Sequence, residues 1–190
     1  NRKTQVSIER KTPVNNESNL EITLFQGLSR SDRIETSIQK SVELGVYRIV
    51  PILCKRSNTR TPTEKINKKI KHWKKIVIGA CEQSGRSIIP EVNDITAIDT
   101  IDQQADENTL KLILNPDSKT SLNDLAKDHT KSSKQSIHIF IGPEGGLSDE
   151  EINTLKQHGF TDICFGPRIL RTETAGPAVI SALQLLWGDF

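Results

Sequence analysis

Three short apolar runs in the second half of the chain, each stopped by a proline-containing turn, limit the fold more than any other feature of the sequence. Leu110-Lys-Leu-Ile-Leu114, Ile137-His-Ile-Phe-Ile141 and Ile163-Cys-Phe165 are too continuous for strands with one wet face and too short for helices. They read as buried strands of a parallel sheet. Each runs straight into a turn: Asn115-Pro116, Gly142-Pro-Glu-Gly-Gly146 and Gly166-Pro-Arg168. In open parallel sheets ligands bind beyond the carboxyl ends of the strands, where such loops converge. The chain is therefore expected to be an α/β protein with a small-molecule site built from these three turns.

The helices between the strands are marked by capping chemistry. Asp32 with Glu35 opens a helix carrying Ile34, Ile38 and Val42 on one face, with Gly45 as its stop, and a strand at 48–53 follows. Thr61-Pro62-Thr63-Glu64 combines a capping box with proline at the first helical position, ahead of Ile66, Ile70, Trp73, Val77, Ala80 and Cys81. Ser148-Asp-Glu-Glu151 starts a third helix, and a last one over about 174–187 is apolar nearly all round. A helix of that kind is buried on several sides, in the core or against a second subunit.

At 190 residues the chain is long enough for one domain with a real core, and no apolar run approaches the roughly 18 residues of a membrane span. A soluble, cytoplasmic protein is expected. Cys54, Cys81 and Cys164 lie far apart and read as buried thiols, and neither they nor His72, His129, His138 and His158 have metal-ligand spacing, so no metal is assigned. The segment from Thr4 to Lys11 alternates polar and apolar residues and then dissolves into a turn-rich linker. It is expected to be the last strand of a β-rich module, and since Asn1 is not an initiator and the chain has no methionine, the natural start is expected to lie upstream. Residues 1–18 and 19–190 are the expected divisions.

A net charge of +2 hides a split. Residues 1–90 carry 18 Lys+Arg against 8 Asp+Glu, and residues 91–190 carry 8 against 16. The asymmetry points to an anionic partner, most commonly a nucleic acid, although Lys65 to Lys75 supply six of the 18 and could be a solvated helix face.

The loop Gly142-Pro-Glu-Gly-Gly-Leu-Ser148 matches no phosphate-binding fingerprint, and Glu144 would repel phosphate from its middle. It is either a close backbone contact with a small ligand or a tight strand-to-helix turn. In Gly166-Pro-Arg-Ile-Leu-Arg-Thr-Glu-Thr-Ala175, two arginines, a carboxylate and two threonines are compressed between a buried strand and a buried helix. Thr172 or Thr174 could cap that helix beside an Arg171–Glu173 pair.

Ile141-Gly-Pro-Glu-Gly-Gly-Leu-Ser-Asp-Glu-Glu-Ile152 together with Phe165-Gly-Pro-Arg-Ile-Leu-Arg-Thr-Glu-Thr-Ala175 resembles the bacterial 16S ribosomal RNA uracil-N3 methyltransferase family. Gln39-Lys-Ser-Val-Glu-Leu-Gly45, Arg48-Ile-Val-Pro51 and Cys81-Glu-Gln-Ser-Gly-Arg86 resemble further blocks of it, so the likeness covers 20–190. The resemblance implies a SPOUT domain with a carboxyl-terminal trefoil knot forming the S-adenosyl-L-methionine pocket. It also implies an amino-terminal PUA-like RNA-binding β-barrel, here mostly missing, and a homodimer acting on 16S ribosomal RNA or the small ribosomal subunit. Cofactor contacts then fall to Leu114, Asn115 and Pro116, to Gly142, Pro143, Glu144, Gly145 and Gly146, and to Gly166, Pro167, Ile169 and Leu170. Arg171 and Glu173 become the catalytic candidates. Arg86, Arg168, Lys55, Arg56 and Arg60 become the RNA-binding ones.

Overall fold

The computed structural model describes residues 4–12, 14–57, 63–101, 108–128 and 135–190. The elements follow in the order β1 (Leu20–Gly27), α1 (Ser31–Glu43), β2 (Arg48–Leu53), α2 (Thr63–Ser84), β3 (Glu91–Val92), β4 (Thr96–Ala97), β5 (Leu110–Leu114), α3 (Leu122–Asp128), β6 (Gln135–Ile141), α4 (Asp149–Gln157), β7 (Thr161–Ile163) and α5 (Thr172–Trp187). All strand pairings are parallel, in the order β3-β2-β1-β6-β5-β7, with β4 also on β2. Both middle strands, β1 and β6, are covered on two faces, so that even the polar Thr23 and Gln26 of β1 are buried.

Alternation persists in space even where polarity does not alternate. Leu24, Ile49, Leu112 and Ile139 face a core shared with α1, α2 and α5, where Ile38, Trp73, Val77, Val179 and Leu183 pack. Their neighbours Phe25, Val50, Ile113 and Phe140 face a second core with Leu155 and Phe160. There Phe25 and Phe140 stack with centroids 6.2 Å apart, and Phe160 meets both edge-on.

Two of the expected helix starts take different forms. The capping box at Ser148 is present, with Ser148 Oγ accepting from Glu151 N and Glu151 accepting from Ser148 N. Helix α1 has no local side-chain cap; Arg30 N donates instead to Glu144 Oε1 at 3.1 Å, from the loop after β6. Thr61 and Pro62 lie outside the described residues, as does His129. Gly45 ends α1 with φ +88°, a conformation that favours glycine.

Residues 4–12 form no strand, and Val6 and Ile8 are exposed. Their alternation has no partner strand to pair with among the described residues. The linker that follows is anchored: Glu17 accepts from the Arg86 guanidinium and from the backbone N–H groups of Ser87 and Ile88. Of the cysteines, Cys54 and Cys81 are buried, whereas Cys164 is only half-buried, a correction to the expectation of three buried thiols. No helix among the described residues is long and apolar enough to cross a membrane.

Candidate functional site

Parallel register brings the ends of β1, β5, β6 and β7 to one edge of the sheet: Gln26 pairs with Ile141, Ile113 with Phe140, and Leu114 with Ile163. From β1 the chain turns toward β2, and from β6 it crosses to β7 on the other side. The crevice between β1 and β6 is therefore a point where the direction of winding reverses.

The three turns expected from sequence line one cleft of about 590 Å³ there, within the size range of small-molecule sites. Leu114, Asn115 and Pro116 form one wall, Gly142, Pro143, Glu144 and Gly146 a second, and Gly166, Ile169 and Leu170 a third. Gly166 has φ +77° and open space where a side chain would stand, so backbone is presented bare to the cleft. Asn115 is fixed by its N–H to Ile163 O and by its side chain donating to Asp162. Burial pulls the Asp162 carboxyl upward, but hydrogen bonds from Lys156 and Asn115 and the Lys156 charge outweigh it and hold the pKa below the usual value.

Gly145 and Pro167 do not line this cleft among the residues that do. A side chain at Gly145 would meet Arg56 Cβ at 3.0 Å and the Arg56 carbonyl at 3.2 Å, so the tight neighbour of this glycine is the loop after β2. A tighter approach lies at Gly27, which sequence reasoning passed over. A Cβ there would stand 2.6 Å from Pro143 N and 2.8 Å from the Gly142 carbonyl carbon. Backbone there leaves no room for any side chain.

Under the cleft runs a buried polar chain. Ser37 donates to Gln26 Oε1 at 2.7 Å, Gln26 Nε2 donates to Thr172 Oγ1 at 3.0 Å, and Thr172 donates to Gly142 O at 2.8 Å. Gln26 and Ser37 are fully buried. The chain ties α1, β1, α5 and β6 together, and Thr172 serves it rather than capping α5, whose N-cap is Arg171 without a side-chain bond.

The charged candidates separate. Arg171 lines the cleft but is 75% exposed, with one ion pair to Glu173 at 3.9 Å. Glu173 is mostly covered and its Oε2 is buried without a partner, yet it does not line the cleft. Arg56 and Arg168 are exposed and line it; Arg56 also donates to the carbonyls of Gly145 and Leu147. Lys55 lies outside, paired with Glu150, whose hydrogen bond raises its pKa. Arg60 lies outside the described residues. Arg86 is removed from the group: its side chain is 6% exposed, with two bonds to Glu17 and two to the carbonyls of Val42 and Val46. A guanidinium consumed by the fold has nothing left to offer RNA. Arg33 and Asp149 line the cleft without having been expected there. Asp149 opens the helix that follows the glycine loop, so the capping box marks its place, whereas Arg33 follows neither an apolar run nor a glycine and carries no such sign.

The model for the RNA methyltransferase domain matches residues 16–184. Ribosomal RNA small subunit methyltransferase E of Buchnera aphidicola subsp. Schizaphis graminum is 40% identical over 185 residues, 97% of this chain and 73% of that protein. The chain belongs to the ribosomal RNA small subunit methyltransferase E family. A family structure from Neisseria gonorrhoeae, bound to S-adenosyl methionine, has a TM-score of 0.82 at 40% identity, covering 92% of this chain and 70% of its own. A methyltransferase of Legionella pneumophila in complex with the same cofactor gives 0.84 at 42% identity, covering 93% and 71%.

Proposed function

We propose that the chain methylates N3 of a uridine in 16S ribosomal RNA of the small subunit, using S-adenosyl-L-methionine held in the three-turn cleft. The observation that carries this is the convergence of the three turns on one cleft, through Leu114 to Pro116, Gly142 to Glu144 with Gly146, and Gly166 with Ile169 and Leu170, in a chain whose close relatives hold that cofactor. The residues fit such a ligand: bare backbone at Gly142, Gly146 and Gly166 suits an adenosine moiety, and carboxylates at Asp117, Glu144 and Asp149 suit a sulfonium and an amino group. Bound there, the cofactor supplies an activated methyl group. The protein then has to hold the acceptor in line and favour loss of the N3 proton. Arg171 and Glu173 stand beside the cleft for that work, and the exposed Arg56 and Arg168 that line it are suited to phosphates, with Lys55 farther out and paired with Glu150.

The SPOUT knot reading rests on the path of the tail. After β7, on the far side of β5, the chain returns to pack α5 on α1 and β1, pinned beneath the β6 loop by Thr172. Residues 1–18 are read as the end of a PUA-like barrel. A homodimer is proposed through the outward face of α5. Val179 and Leu183 of α5 are fully buried in the protomer core, so the face is Leu185, 68% exposed, with Leu186 and Ala182 beside a shallow hollow formed with Leu122 and Phe165. Small subunits place the reaction in the cytoplasm.

Calorimetry with S-adenosylhomocysteine, followed by mass mapping of small-subunit RNA after incubation with the protein and S-adenosyl-L-methionine, tests the proposal. Binding plus one new methyl on a uridine N3 is expected; no binding, or a methyl on another atom, refutes it.

A further inference from the structure

Arg33 is the least explained charge in the cleft. It stands in the first turn of α1 with its side chain 27% exposed and lines the cleft. Among the described residues its guanidinium makes no hydrogen bond and a single loose ion pair, Nε to Glu144 Oε1 at 3.6 Å. A fork of five donors, partly covered on the cleft wall and left with one distant partner, is free to take an acceptor that enters the cleft. Glu144 is its complement. Oε1 is fixed by Arg30 N at 3.1 Å, and Oε2 is buried without a partner. Arg33 follows β1 and Glu144 follows β6, so the pair spans the crevice where winding reverses.

We propose that Arg33 is a catalytic residue that stabilises the anion of the acceptor base, and that Glu144 positions it. This rests on the uracil-N3 reading above. The N3 proton leaves for solvent water, and its electron pair spreads over N3 and the two ring carbonyl oxygens, one of which accepts from the Arg33 guanidinium. That pair then forms the bond to the methyl carbon while the carbon–sulfur bond breaks with its electrons on sulfur. A base rather than a phosphate is favoured because Arg33 is mostly covered and its charge is partly offset by Glu144. It therefore attracts little at long range and acts by directed bonds at short range. The exposed Arg168 and Arg171 have the opposite character.

The test is single-turnover methylation of unmodified small subunits by wild type, Arg33→Gln, Arg33→Lys and Glu144→Gln across neutral to alkaline pH, beside S-adenosylhomocysteine calorimetry and thermal melts. Arg33→Gln should be slower by roughly 10²- to 10³-fold at neutral pH. Its deficit should shrink as pH rises, because uracil then ionises unaided, and Arg33→Lys should recover much of the rate. Glu144→Gln should show a smaller deficit of the same pH shape. Cofactor affinity and melting should change little for Arg33→Gln. A wild-type rate overturns the proposal, as does a pH-independent deficit carried by KM and salt, which marks a phosphate contact. Loss of rate in proportion to S-adenosylhomocysteine affinity overturns it too. Failure of the function itself appears separately, as wild-type protein that binds no cofactor or leaves uridine N3 unmethylated.

Discussion

Replacing Gln26 by methionine keeps most of the side chain's shape and removes both polar ends from the buried chain under the cleft. Two good hydrogen bonds disappear, from Ser37 at 2.7 Å and to Thr172 at 3.0 Å, with a weaker one to Gly27 O at 3.4 Å. Thr172 still donates to Gly142 O, so its loss is one accepted bond, about 0.5–1.5 kcal/mol. Ser37 is left with a fully buried hydroxyl and no acceptor, about 1–3 kcal/mol, less whatever it regains by bonding back to a carbonyl of its own helix. The sum is about 2–4 kcal/mol, which for a chain of this size lowers Tm by roughly 5–15 °C. Adding Ser37→Ala removes the orphaned group, so the double variant should be more stable than Gln26→Met alone. Differential scanning calorimetry of the two singles and the double closes the cycle. A Gln26→Met Tm within about 2 °C of wild type, well short of the shift expected at this chain length, or a double variant that is worse than the sum of the singles, would refute the account of the network.

Gly27→Ala should fold poorly or bind S-adenosylhomocysteine at least tenfold more weakly by calorimetry, because its Cβ meets the backbone of Pro143 and Gly142 rather than a side chain that could move. Arg86→Ala should destabilise the chain by about 1.5–3 kcal/mol in urea melts, because Glu17 and the carbonyls of Val42 and Val46 lose their charged donor. It should not change the salt dependence of binding to RNA in the protein that remains folded. Asp162, whose folded pKa is lowered, contributes stability that is complete above the unfolded value near 4 and is lost as pH falls through the folded one. Asp162→Asn should therefore lower Tm at neutral pH and flatten its fall below about pH 4. Burial, reinforced by the Glu151 charge, pushes the Cys54 thiol up to about 12. Iodoacetamide near pH 8 should label Cys164 first and Cys54 only after unfolding, as peptide mapping would show.

The cofactor side of the cleft was legible because β5 and β6 are each announced twice, by an apolar run and by the glycine or proline that stops it, whereas β7 at Thr161–Ile163 lies two residues ahead of the 163–165 run read as a strand. Leu110–Leu114 and Arg48–Leu53 lie where the pattern put them, and the capping box at Ser148 formed as written. Strands β3 and β4, two residues each, and helix α3, one of seven, are too short to carry a period and were not foreseen. Charge was the least legible property. Arg86 looked like a free cation beside other cations, yet its partner Glu17 lies 69 positions away in a segment read as linker. The all-round apolar pattern of α5 was read as burial on several sides; Val179 and Leu183 fill the core, and the exposed apolar surface sits at Leu185.

Arg33 was invisible for a related reason, which bears on how the site is built. A helix start is normally recognised by its own N-cap, and α1 lacks one: Arg30, at that position, offers no acceptor and Asp32 alone is acidic in the first turn. Glu144, 114 residues later, supplies the carboxylate that a local cap would have supplied, and the same carboxylate holds Arg33 at the cleft wall. One oxygen thus couples the loop that lines the cofactor cleft to the helix that carries the unassigned cation. A local cap would have freed Glu144 from α1 and left Arg33 free to turn to solvent. Supplying the cap from β6 makes the geometry of the acceptor side depend on the conformation of the 142–146 loop. Glu144→Ala should therefore disturb both the start of α1 and the placement of Arg33, whereas glutamine can still accept from Arg30 N and separates the two effects.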